Sequence, residues 1–316
     1  MIPGEFIFLN RLANEMYKTD IFFLPLKVVN SKNGRFSKLS VFNISFAMAY
    51  FKRMKIKFYK FHGAGNDFLM IDNRDMKFIP DIRIIEFLCS RHFGVGADGL
   101  ITLQNSQQHD FEMRYYNSDG NESTMCGNGG RCIVSFARML GIVSKTAVFE
   151  AIDGIHEATV LKSIKEEDLI KLEMLDVENI EAGSGYAILN TGSPHYVKFV
   201  DNPSQIDVFQ EGKKVRNNKA FLPDGINVNF IRVIQNEVEI RTYERGVENE
   251  TLACGTGAVA AAIVTNLRHP EMVSPIPILA RGGKLNVHFE NQNGVFKNIW
   301  LEGPARFVFS GEIEVV

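Results

Sequence analysis

The pattern of hydrophobic and polar positions changes at Met54. From there onward, apolar and polar residues alternate in many short runs, beginning with MKIKFYKF, and this period of two predicts β-strands. Glycine, asparagine and aspartate separate the runs, as is typical of turns. Residues 1–53 are rich in phenylalanine but have weak periodicity and poor helix caps. We therefore interpret residues 1–53 as an extension outside the functional fold, with translation expected to start nearer Met54.

Three segments predict helices. Residues 81–92, DIRIIEFLCSRH, have the spacing of an amphipathic helix. Residues 132–140, CIVSFARML, and residues 258–267, AVAAAIVTNL, are apolar on nearly every side. A helix that is apolar all round is buried in the interior rather than laid on a surface. Many strands with two buried helices favour an α+β protein with two pseudo-symmetric lobes, each a mostly antiparallel sheet wrapped around a central helix.

The composition is ordinary for a globular protein. The 316 residues are 45% hydrophobic and 23% charged, with a formal net charge of −2. This charge gives no sign of a nucleic-acid partner or of an acidic membrane surface as partner. No apolar run approaches the ~18 residues of a membrane span, and residues 1–53 lack the plan of a signal peptide. We expect a cytoplasmic protein with no membrane and no nucleic-acid partner.

The four cysteines form neither a CxxC pair nor a zinc-ligand spacing. Four cysteines in a chain of this length do not make a disulfide framework, so reduced thiols are expected. Cys89 lies on the apolar face of the first predicted helix and Cys132 lies inside the second, so both are interpreted as core residues. Cys126 and Cys254 need a separate explanation.

The same motif precedes both buried helices. STMCGNGGRCIVSF begins at residue 123 and ETLACGTGAVAAAI at residue 250, so Cys126 and Cys254 each stand directly before a Gly-polar-Gly turn that opens a helix. The first N–H groups of a helix have no partner within it and carry partial positive charge. Such a terminus lowers the pKa of a thiol and holds carboxylates, and glycine allows a ligand to approach closely. We expect a low-pKa sulfur beside an anion site at both places.

Two such sulfurs facing one ligand indicate proton transfer at opposite faces of a carbon atom. One sulfur acts as thiolate base and the other as thiol acid, and the roles exchange in the reverse reaction. The reacting carbon must lie next to a carboxylate, so that the helix N-termini stabilise the developing negative charge. An alternative from a different class is a non-enzymatic redox sensor whose two thiols form a regulatory disulfide.

Six stretches resemble one known family, the diaminopimelate epimerases. They are FHGAGNDF (61–68), RHFGVGADG (91–99), MRYYNSDGNESTMCGNGGRC (113–132), NTGSPHYV (190–197), GINVNF (225–230) and RTYERGVENETLACGTGAVA (241–260). The resemblance runs from Met54 to Val316 and implies an isomerase that interconverts LL- and meso-2,6-diaminopimelate in lysine and peptidoglycan precursor biosynthesis. It also implies a small-molecule substrate, no pyridoxal phosphate or other cofactor, no metal, and a homodimer.

The family fold agrees with the fold predicted above. We expect an N-terminal lobe over residues 54–177 and a C-terminal lobe over residues 178–303, with residues 304–316 returning to the first lobe as a strand. A racemase or isomerase of another small amino acid, of the proline type, is the alternative within this fold. A short substrate has no second amino-acid end, so the residues for that end discriminate between the two.

The resemblance implies a role for each matching site residue. Cys126 and Cys254 are the expected base and acid. The α-carboxylate is expected at the helix N-termini formed by Gly127, Asn128, Gly255 and Thr256. The amino and carboxyl groups of the substrate are expected to contact Asn66, Asn117 and Asn227. Arg245 is expected to bind the distal carboxylate, which suits a bidentate guanidinium. Glu244 and His195 are expected to act beside the cysteines, orienting the substrate amine and tuning the thiols.

Several of these residues also have a local explanation. Asn66 and Asn117 stand in sequences that are typical of turns. His195 follows a proline and has the setting of a hydrogen-bonded structural histidine, and Glu244 with Arg245 resembles a solvated ion pair at a strand end. The chain also departs from the family pattern: Ser193 stands where many members have asparagine, and Gly99 where some have glutamine.

Overall fold

The computed structural model describes residues 54–315; the predicted extension over residues 1–53 and the terminal Val316 lie outside the described residues. The alternating runs fold into seventeen strands. Their bounds are β1 Met54–Gly63, β2 Asn66–Asp72, β3 Gly99–Gln104, β4 Phe111–Asn117, β5 Glu122–Ser123, β6 Thr146–Ala151, β7 Gly154–Ile164, β8 Glu167–Glu173, β9 Ile180–Ala182, β10 Tyr186–Asn190, β11 Pro194–Phe199, β12 Asn227–Ile234, β13 Glu237–Glu244, β14 Asn249–Thr251, β15 Ile276–Ala280, β16 Gly283–Gln292 and β17 Val295–Val315.

Four α-helices accompany the strands within residues 54–315. They are α1 Ile82–Cys89, α2 Gly127–Met139, α3 Val208–Arg216 and α4 Gly255–Arg268, with short 3₁₀ turns at Pro203–Gln205 and Lys219–Phe221. None of the helices in this part of the chain is long and apolar enough to cross a membrane.

The predicted helices exist, with different bounds. Helix α1 ends at Cys89 rather than at residue 92, because Ser90 turns the backbone to an extended conformation. Helices α2 and α4 begin directly after Cys126 and Cys254, so both Gly-polar-Gly sequences form first turns. The Asp81 carboxylate caps α1 by accepting from the main-chain N–H of Arg83 at 2.9 Å.

Helix α3 is not predicted by the sequence pattern. Its sequence, VFQEGKKVR, is mostly polar, and only Val208 and Gly212 are buried. An apolar stripe is the main sequence signal of a helix, and this one has almost none. The helix is instead stabilised by the Asp207 carboxylate, which accepts from the N–H of Gln210 at 3.0 Å, and by basic residues in its last turn.

The first half of the described chain forms a closed ring of strands around α2. Going round the ring, β1, β2, β3, β4, β6, β7 and β8 pair in order, and the second part of β17 closes it by pairing with both β8 and β1. The pairs β2–β3 and β4–β6 are parallel and the others are antiparallel. Inside the ring, α2 is buried from Gly127 to Ala137.

The second half repeats this pairing around α4. Strands β10, β11, β12, β13, β15 and β16 pair in order with the first part of β17, and the pairs β11–β12 and β13–β15 are the parallel ones. Helix α3 lies between β11 and β12 in the chain, as α1 lies between β2 and β3. The repeated topology confirms the predicted α+β fold of sheet wrapped around two central helices.

Strand β17 belongs both to the ring around α2 and to the sheet around α4. Its residues up to Glu302 pair with β16, and from Gly303 onward they pair with β8 and then β1. The division of the chain into lobes at residues 177 and 303 stays a prediction. The pairing shows that one continuous strand joins the ring around α2 to the sheet around α4.

Candidate active site

Both Cys126 and Cys254 are the N-cap residues of their helices. Each has an extended backbone, with φ and ψ of −97° and 129° at Cys126 and −118° and 118° at Cys254, and neither side chain makes a capping hydrogen bond. Main-chain N–H groups of the first turns point at the sulfurs instead, from Asn128 and Gly129 to Cys126 and from Gly257 to Cys254. The motif therefore places each sulfur at a helix N-terminus, as predicted.

The two helix N-termini meet in the interior. A methyl group added to Gly255 would lie 3.2 Å from Cα of Gly127, and one added to Gly127 would lie 3.5 Å from Cα of Gly255. Leu301 of β17 packs against both positions. A side chain at Gly255 would crowd the backbone of Gly127, so glycine at this position allows the two helix N-termini to lie in close contact.

Asn128 joins the two halves by hydrogen bonds. Its amide nitrogen donates to the carbonyl oxygen of Ala253 at 2.9 Å and to Oδ1 of Asn66 at 3.2 Å. Its amide oxygen accepts from Nη2 of Arg131 at 2.8 Å. Since Ala253 directly precedes Cys254, this one buried amide links the first turn of α2 to the chain that carries the second cysteine.

Arg131 is fully buried beside Cys126. Within residues 54–315 its guanidinium donates to neutral acceptors: the carbonyl of Gly127 at 3.0 Å, the amide of Asn128 and the carbonyl of Pro304. Burial lowers the pKa of Arg131, and its charge lowers the pKa of the Cys126 thiol. Arg131 is not among the predicted site residues, because nothing in the local pattern marks an arginine on an apolar helix as a site residue.

Asn66 lies against the sulfur of Cys126. The Cys126 thiol donates to Oδ1 of Asn66 at 3.7 Å, and Nδ2 of Asn66 donates to the Asp98 carboxylate at 2.7 Å. Asp98 is held in turn by Arg91, which also pairs with Asp67. Asp98 therefore fixes which end of the Asn66 amide faces the sulfur, a role the sequence analysis did not foresee.

Thr256 and His195 lie beside Cys254. The hydroxyl of Thr256 is 3.5 Å from the sulfur of Cys254 and 2.9 Å from Nε2 of His195. Ser193, the residue that departs from the family pattern, places its hydroxyl 3.0 Å from the same Nε2 and 3.2 Å from the hydroxyl of Thr256. His195 is fully buried. Its pKa is lowered to about 3 by that burial and by the charge of Arg245, so the ring is neutral.

Glu244 influences the pKa of both thiols. Burial raises its pKa to about 7, while a hydrogen bond with Cys254 acts in the opposite direction. Its charge raises the pKa of both Cys126 and Cys254. A carboxyl group that titrates near neutral pH is suited to exchanging protons.

The expectation that both thiols have a lowered pKa is wrong for the protein without substrate. Burial is the largest influence and raises the pKa of both Cys126 and Cys254, strongly for Cys254. The helix N–H groups do lower the pKa of each thiol, as predicted, but burial outweighs them. Cys89 and Cys132 are buried in the core, as predicted, and burial raises the pKa of Cys89 to about 12.

Asn227 and Arg245 form a second group of predicted residues. The amide nitrogen of Asn227 donates to the hydroxyl of Ser193 at 3.0 Å and the carbonyl of Pro194 at 3.2 Å, and its oxygen accepts from the main-chain N–H of Arg245 at 2.9 Å. Both ends of this buried amide are thus engaged within the protein. In residues 54–315 the Arg245 guanidinium has one hydrogen bond, to the carbonyl of Asp224 at 3.4 Å.

Asn117 and Gly99 face each other across β3 and β4 at the ends of these strands. A side chain at Gly99 is excluded, because a methyl group there would lie 2.6 Å from the ring of Tyr115 and from the carbonyl oxygen of Tyr116. Tyr115 therefore fills the space next to Gly99. Burial and the charges of Cys126 and Glu244 raise its pKa, so it lies close to the site, and sequence reasoning missed it. The roles of the predicted site residues stay predictions.

Solved structures of other proteins share this fold. One is a phenazine biosynthesis protein of the PhzF family from Bacillus anthracis, with a TM-score of 0.65 and 15% identity over 83% of this chain and 99% of that chain. Another is a hydroxyproline epimerase from Agrobacterium vitis, with a TM-score of 0.61 and 14% identity over 83% of this chain and 93% of that chain. Likeness at these identities shows the fold alone.

Sequence comparison gives the family. The family model for diaminopimelate epimerase matches residues 58–176 and 187–308. Named diaminopimelate epimerases from Flavobacterium psychrophilum and Chlorobaculum tepidum are 51% and 44% identical, covering 82% and 79% of this chain and 100% and 98% of the relatives. One from Aquifex aeolicus is 37% identical over 82% of this chain and 98% of the relative. The chain belongs to the diaminopimelate epimerase family and is an enzyme of the isomerase class.

Proposed function

We propose that this chain interconverts LL- and meso-2,6-diaminopimelate by proton transfer between the α-carbon of the substrate and the sulfurs of Cys126 and Cys254. The observation that carries the proposal is the meeting of two helix N-termini at Gly127 and Gly255, each preceded by a cysteine N-cap. Family membership supports the choice of substrate. The reaction serves lysine and peptidoglycan precursor biosynthesis, and we place it in the cytoplasm, in a homodimer that needs no pyridoxal phosphate and no metal.

The proposed reaction exchanges one proton for another. The thiolate of one cysteine removes the α-hydrogen as a proton, and the electron pair of the broken C–H bond stays on the substrate, delocalised into its α-carboxylate. The thiol of the other cysteine then gives its proton to the opposite face, which forms the new C–H bond and leaves a thiolate. First-turn N–H groups of α2 and α4 stabilise the negative charge on the carboxylate while it develops.

Because the pKa of both thiols is raised in the free protein, we expect the bound substrate to promote formation of the thiolate. A bound α-ammonium group brings a positive charge next to Cys126, Cys254 and Glu244, and a nearby cation lowers the pKa of a thiol. Glu244, with a pKa of about 7 and a hydrogen bond to Cys254, is the proposed acceptor for the proton that leaves that thiol. The thiolate is thus formed mainly when substrate is in place.

Arg245 is the proposed reader of the distal carboxylate. Its guanidinium has one long hydrogen bond to a carbonyl within residues 54–315, so most of its donors are available for a bidentate pair. Asn227 positions Arg245 through the main chain, and direct contact of Asn227 with the substrate would require its present hydrogen bonds to exchange. Asn66 and Asn117 are the remaining proposed contacts to the amino and carboxyl groups.

The test is turnover of LL-diaminopimelate by the purified protein in D2O under reducing conditions. Formation of the meso isomer with solvent deuterium at the α-carbon is the expected result. Arg245→Ala is expected to raise KM for diaminopimelate. Faster turnover of proline than of diaminopimelate by the parent protein, or activity that depends on oxidation of the thiols, would contradict the proposal.

A further inference from the structure

A chain of buried polar side chains leads to Cys254 from the far side of His195. It consists of Thr242, Asn229, His195 and Thr256, and the first three of these are at most 3% exposed. Thr242 and Asn229 have no place in the function proposed so far. The direction of each hydrogen bond in this chain follows from the partners of Asn229.

The orientation of the Asn229 amide is set by the main chain. Its nitrogen lies 3.2 Å from the carbonyl oxygen of Tyr196, and a carbonyl oxygen can only accept. Its oxygen accepts from the hydroxyl of Thr242 at 3.0 Å. The reversed amide would place two acceptors against each other at Tyr196, so only one orientation satisfies the contacts.

This orientation decides the tautomer of His195. The same amide nitrogen of Asn229 lies 3.0 Å from Nδ1 of His195, so Nδ1 accepts and carries no proton. The neutral ring then carries its proton on Nε2. That N–H faces two hydroxyl oxygens, of Thr256 at 2.9 Å and of Ser193 at 3.0 Å, so neither hydroxyl can donate to it. Ser193 also accepts from Asn227 and can donate to the oxygen of Thr256 at 3.2 Å, which leaves the Thr256 proton for the sulfur of Cys254 at 3.5 Å.

The first turn of α4 is shaped around this amide. A methyl group added to Gly257 would lie 2.6 Å from Oδ1 of Asn229. Asn229 thus contacts the turn that carries the N–H directed at Cys254 as well as the ring of His195. Asn229 is itself fully buried, so it contacts the groups around the Cys254 sulfur but is not accessible to the substrate.

We propose that Asn229 is a positioning residue that fixes His195 as an Nε2–H donor, so that Thr256 donates a hydrogen bond to the Cys254 sulfur. His195 in this state has no free acceptor facing Thr256 and does not take up the proton of Cys254. The hydrogen-bond assignment stands on geometry; its catalytic consequence rests on the proposed function. The donated hydrogen bond favours the thiolate form of Cys254, the form needed when this sulfur is the base.

The tautomer is measurable without turnover. In protein labelled with 15N-histidine, a long-range 1H–15N spectrum near neutral pH is expected to show the pattern of a neutral Nε2–H ring for His195. The His195→Gln variant identifies that signal among the seven histidines. An Nδ1–H pattern or an imidazolium pattern for His195 in the parent protein overturns the proposal, whether or not the protein is an epimerase.

Asn229→Asp reverses the hydrogen bond with the ring, because a carboxylate oxygen can only accept and therefore requires an N–H at Nδ1. We expect the His195 proton to appear on Nδ1 and kcat to fall about 10- to 100-fold with little change in KM, the effect of losing one preorganised donor. The matched control is Asn266→Asp, which makes the same change at an amide of α4 that is 8% exposed and hydrogen-bonded to the carbonyl of Met272. It is expected to leave the His195 tautomer and kcat unchanged.

The outcomes separate this proposal from the proposed function. A shifted tautomer in Asn229→Asp with parental kcat overturns the positioning role and leaves the epimerase function intact. A parent protein that turns over no diaminopimelate isomer refutes the function, and the spectrum still supports or overturns the tautomer. Should Asn229→Asp not fold, Asn229→Ser is expected to give mixed tautomers and reduced kcat; a parental spectrum and parental kcat in that variant overturn the proposal.

Discussion

The surroundings of Cys126 and Cys254 differ in charge although their backbones are alike. Beside Cys126 the buried guanidinium of Arg131 donates to neutral acceptors, and at the corresponding position of α4 stands Val259, also fully buried. Beside Cys254 stand the hydroxyl of Thr256, with the neutral His195 behind it, and the carboxyl group of Glu244, and no buried cation takes the place of Arg131 among the described residues. The position of the sulfur at the helix N-terminus is therefore the same in both halves. The side chains that lower the thiol pKa against the effect of burial differ: Arg131 for Cys126 and Thr256 for Cys254.

The proposed reaction uses the two cysteines in equivalent roles, whereas the surroundings of the two cysteines are different. Epimerisation requires each sulfur to serve as base in one direction and as acid in the other. A fixed cation stabilises a thiolate at any time, whereas a donated hydroxyl proton can rotate away once the sulfur is protonated. We expect Cys126 and Cys254 to contribute unequally in the two directions, and the following predictions test that, from the largest expected effect to the smallest.

Cys126→Ala and Cys254→Ala are each expected to lower kcat for epimerisation about 1,000-fold or more, because one of the two proton-transfer groups is lost. Each variant should still exchange the α-hydrogen with solvent, without inversion, for the one isomer whose C–H bond faces the remaining sulfur. Mass spectrometry of deuterium uptake from LL- and meso-diaminopimelate measures both. Substantial epimerisation by either variant contradicts the two-base assignment, and the pattern of exchange shows which cysteine acts on which isomer.

Arg131→Met removes the cation and makes the first half resemble the second. We expect kcat/KM to fall about 100-fold, since the Asn128 amide loses the donor that orients it and the Cys126 thiolate loses a buried positive charge. Loss of this positive charge raises the pKa of the Cys126 thiol, so alkylation of Cys126 by iodoacetamide should require a higher pH. Val259→Met at the corresponding position of α4 is the control, and an equal loss in both variants would show that packing alone is responsible.

Gly257→Ala and Gly129→Ala compare the two first turns. A methyl group at Gly257 meets the Asn229 amide oxygen at 2.6 Å, whereas one at Gly129 meets the flexible end of Ile101 at 2.9 Å. We expect Gly257→Ala to lower kcat about 10-fold and to destabilise the protein by about 1–3 kcal/mol, through displacement of a buried hydrogen-bonded amide. Gly129→Ala should change kcat less than twofold. Steady-state kinetics and thermal unfolding measure both effects. Equal losses in Gly257→Ala and Gly129→Ala would contradict a specific role for the contact between Gly257 and Asn229.

Glu244→Gln is expected to alter the dependence of stability on pH. The folded protein keeps a proton on Glu244 up to about pH 7, whereas the free carboxyl loses it near 4.5. The folded state therefore binds more protons in this window, so the free energy of unfolding falls as pH rises from about 4.5 to 7. Urea unfolding should show a decrease of about 1–3 kcal/mol in the parent that is missing in Glu244→Gln. Parallel pH curves for the two proteins would contradict this.

Local pattern was sufficient to predict a large part of the fold. The strands after Met54, the two buried helices and the core positions of Cys89 and Cys132 follow from spacing and apolarity within short windows, and the structure confirms them. Helix α3 escaped because its stability depends on the Asp207 cap and on last-turn charges more than on an apolar stripe. Its place between β11 and β12 matches that of α1 between β2 and β3, which becomes visible once the strands are paired.

The site was less predictable because it depends on contacts between distant parts of the chain. The motif located both sulfurs at helix N-termini, but the Asn128–Ala253 hydrogen bond and the place of Asn229 behind His195 arise from folding. The direction of the thiol pKa shifts was wrong for the same reason. A sequence shows the helix N–H groups next to a cysteine, but the burial that outweighs their effect on the thiol pKa exists only after the chain has folded around both helices.

The strand β17 has a consequence for how the protein is made. The ring around α2 is assembled from the early part of the described chain, yet it is closed by residues 303–315, which leave the ribosome long after β1 and β8. Until then β1 and β8 are open edges, which attract other strands. Pairings this distant in sequence form slowly. The ring around α2 therefore closes only after residues 303–315 have been synthesised, and its open edges are exposed to aggregation until then.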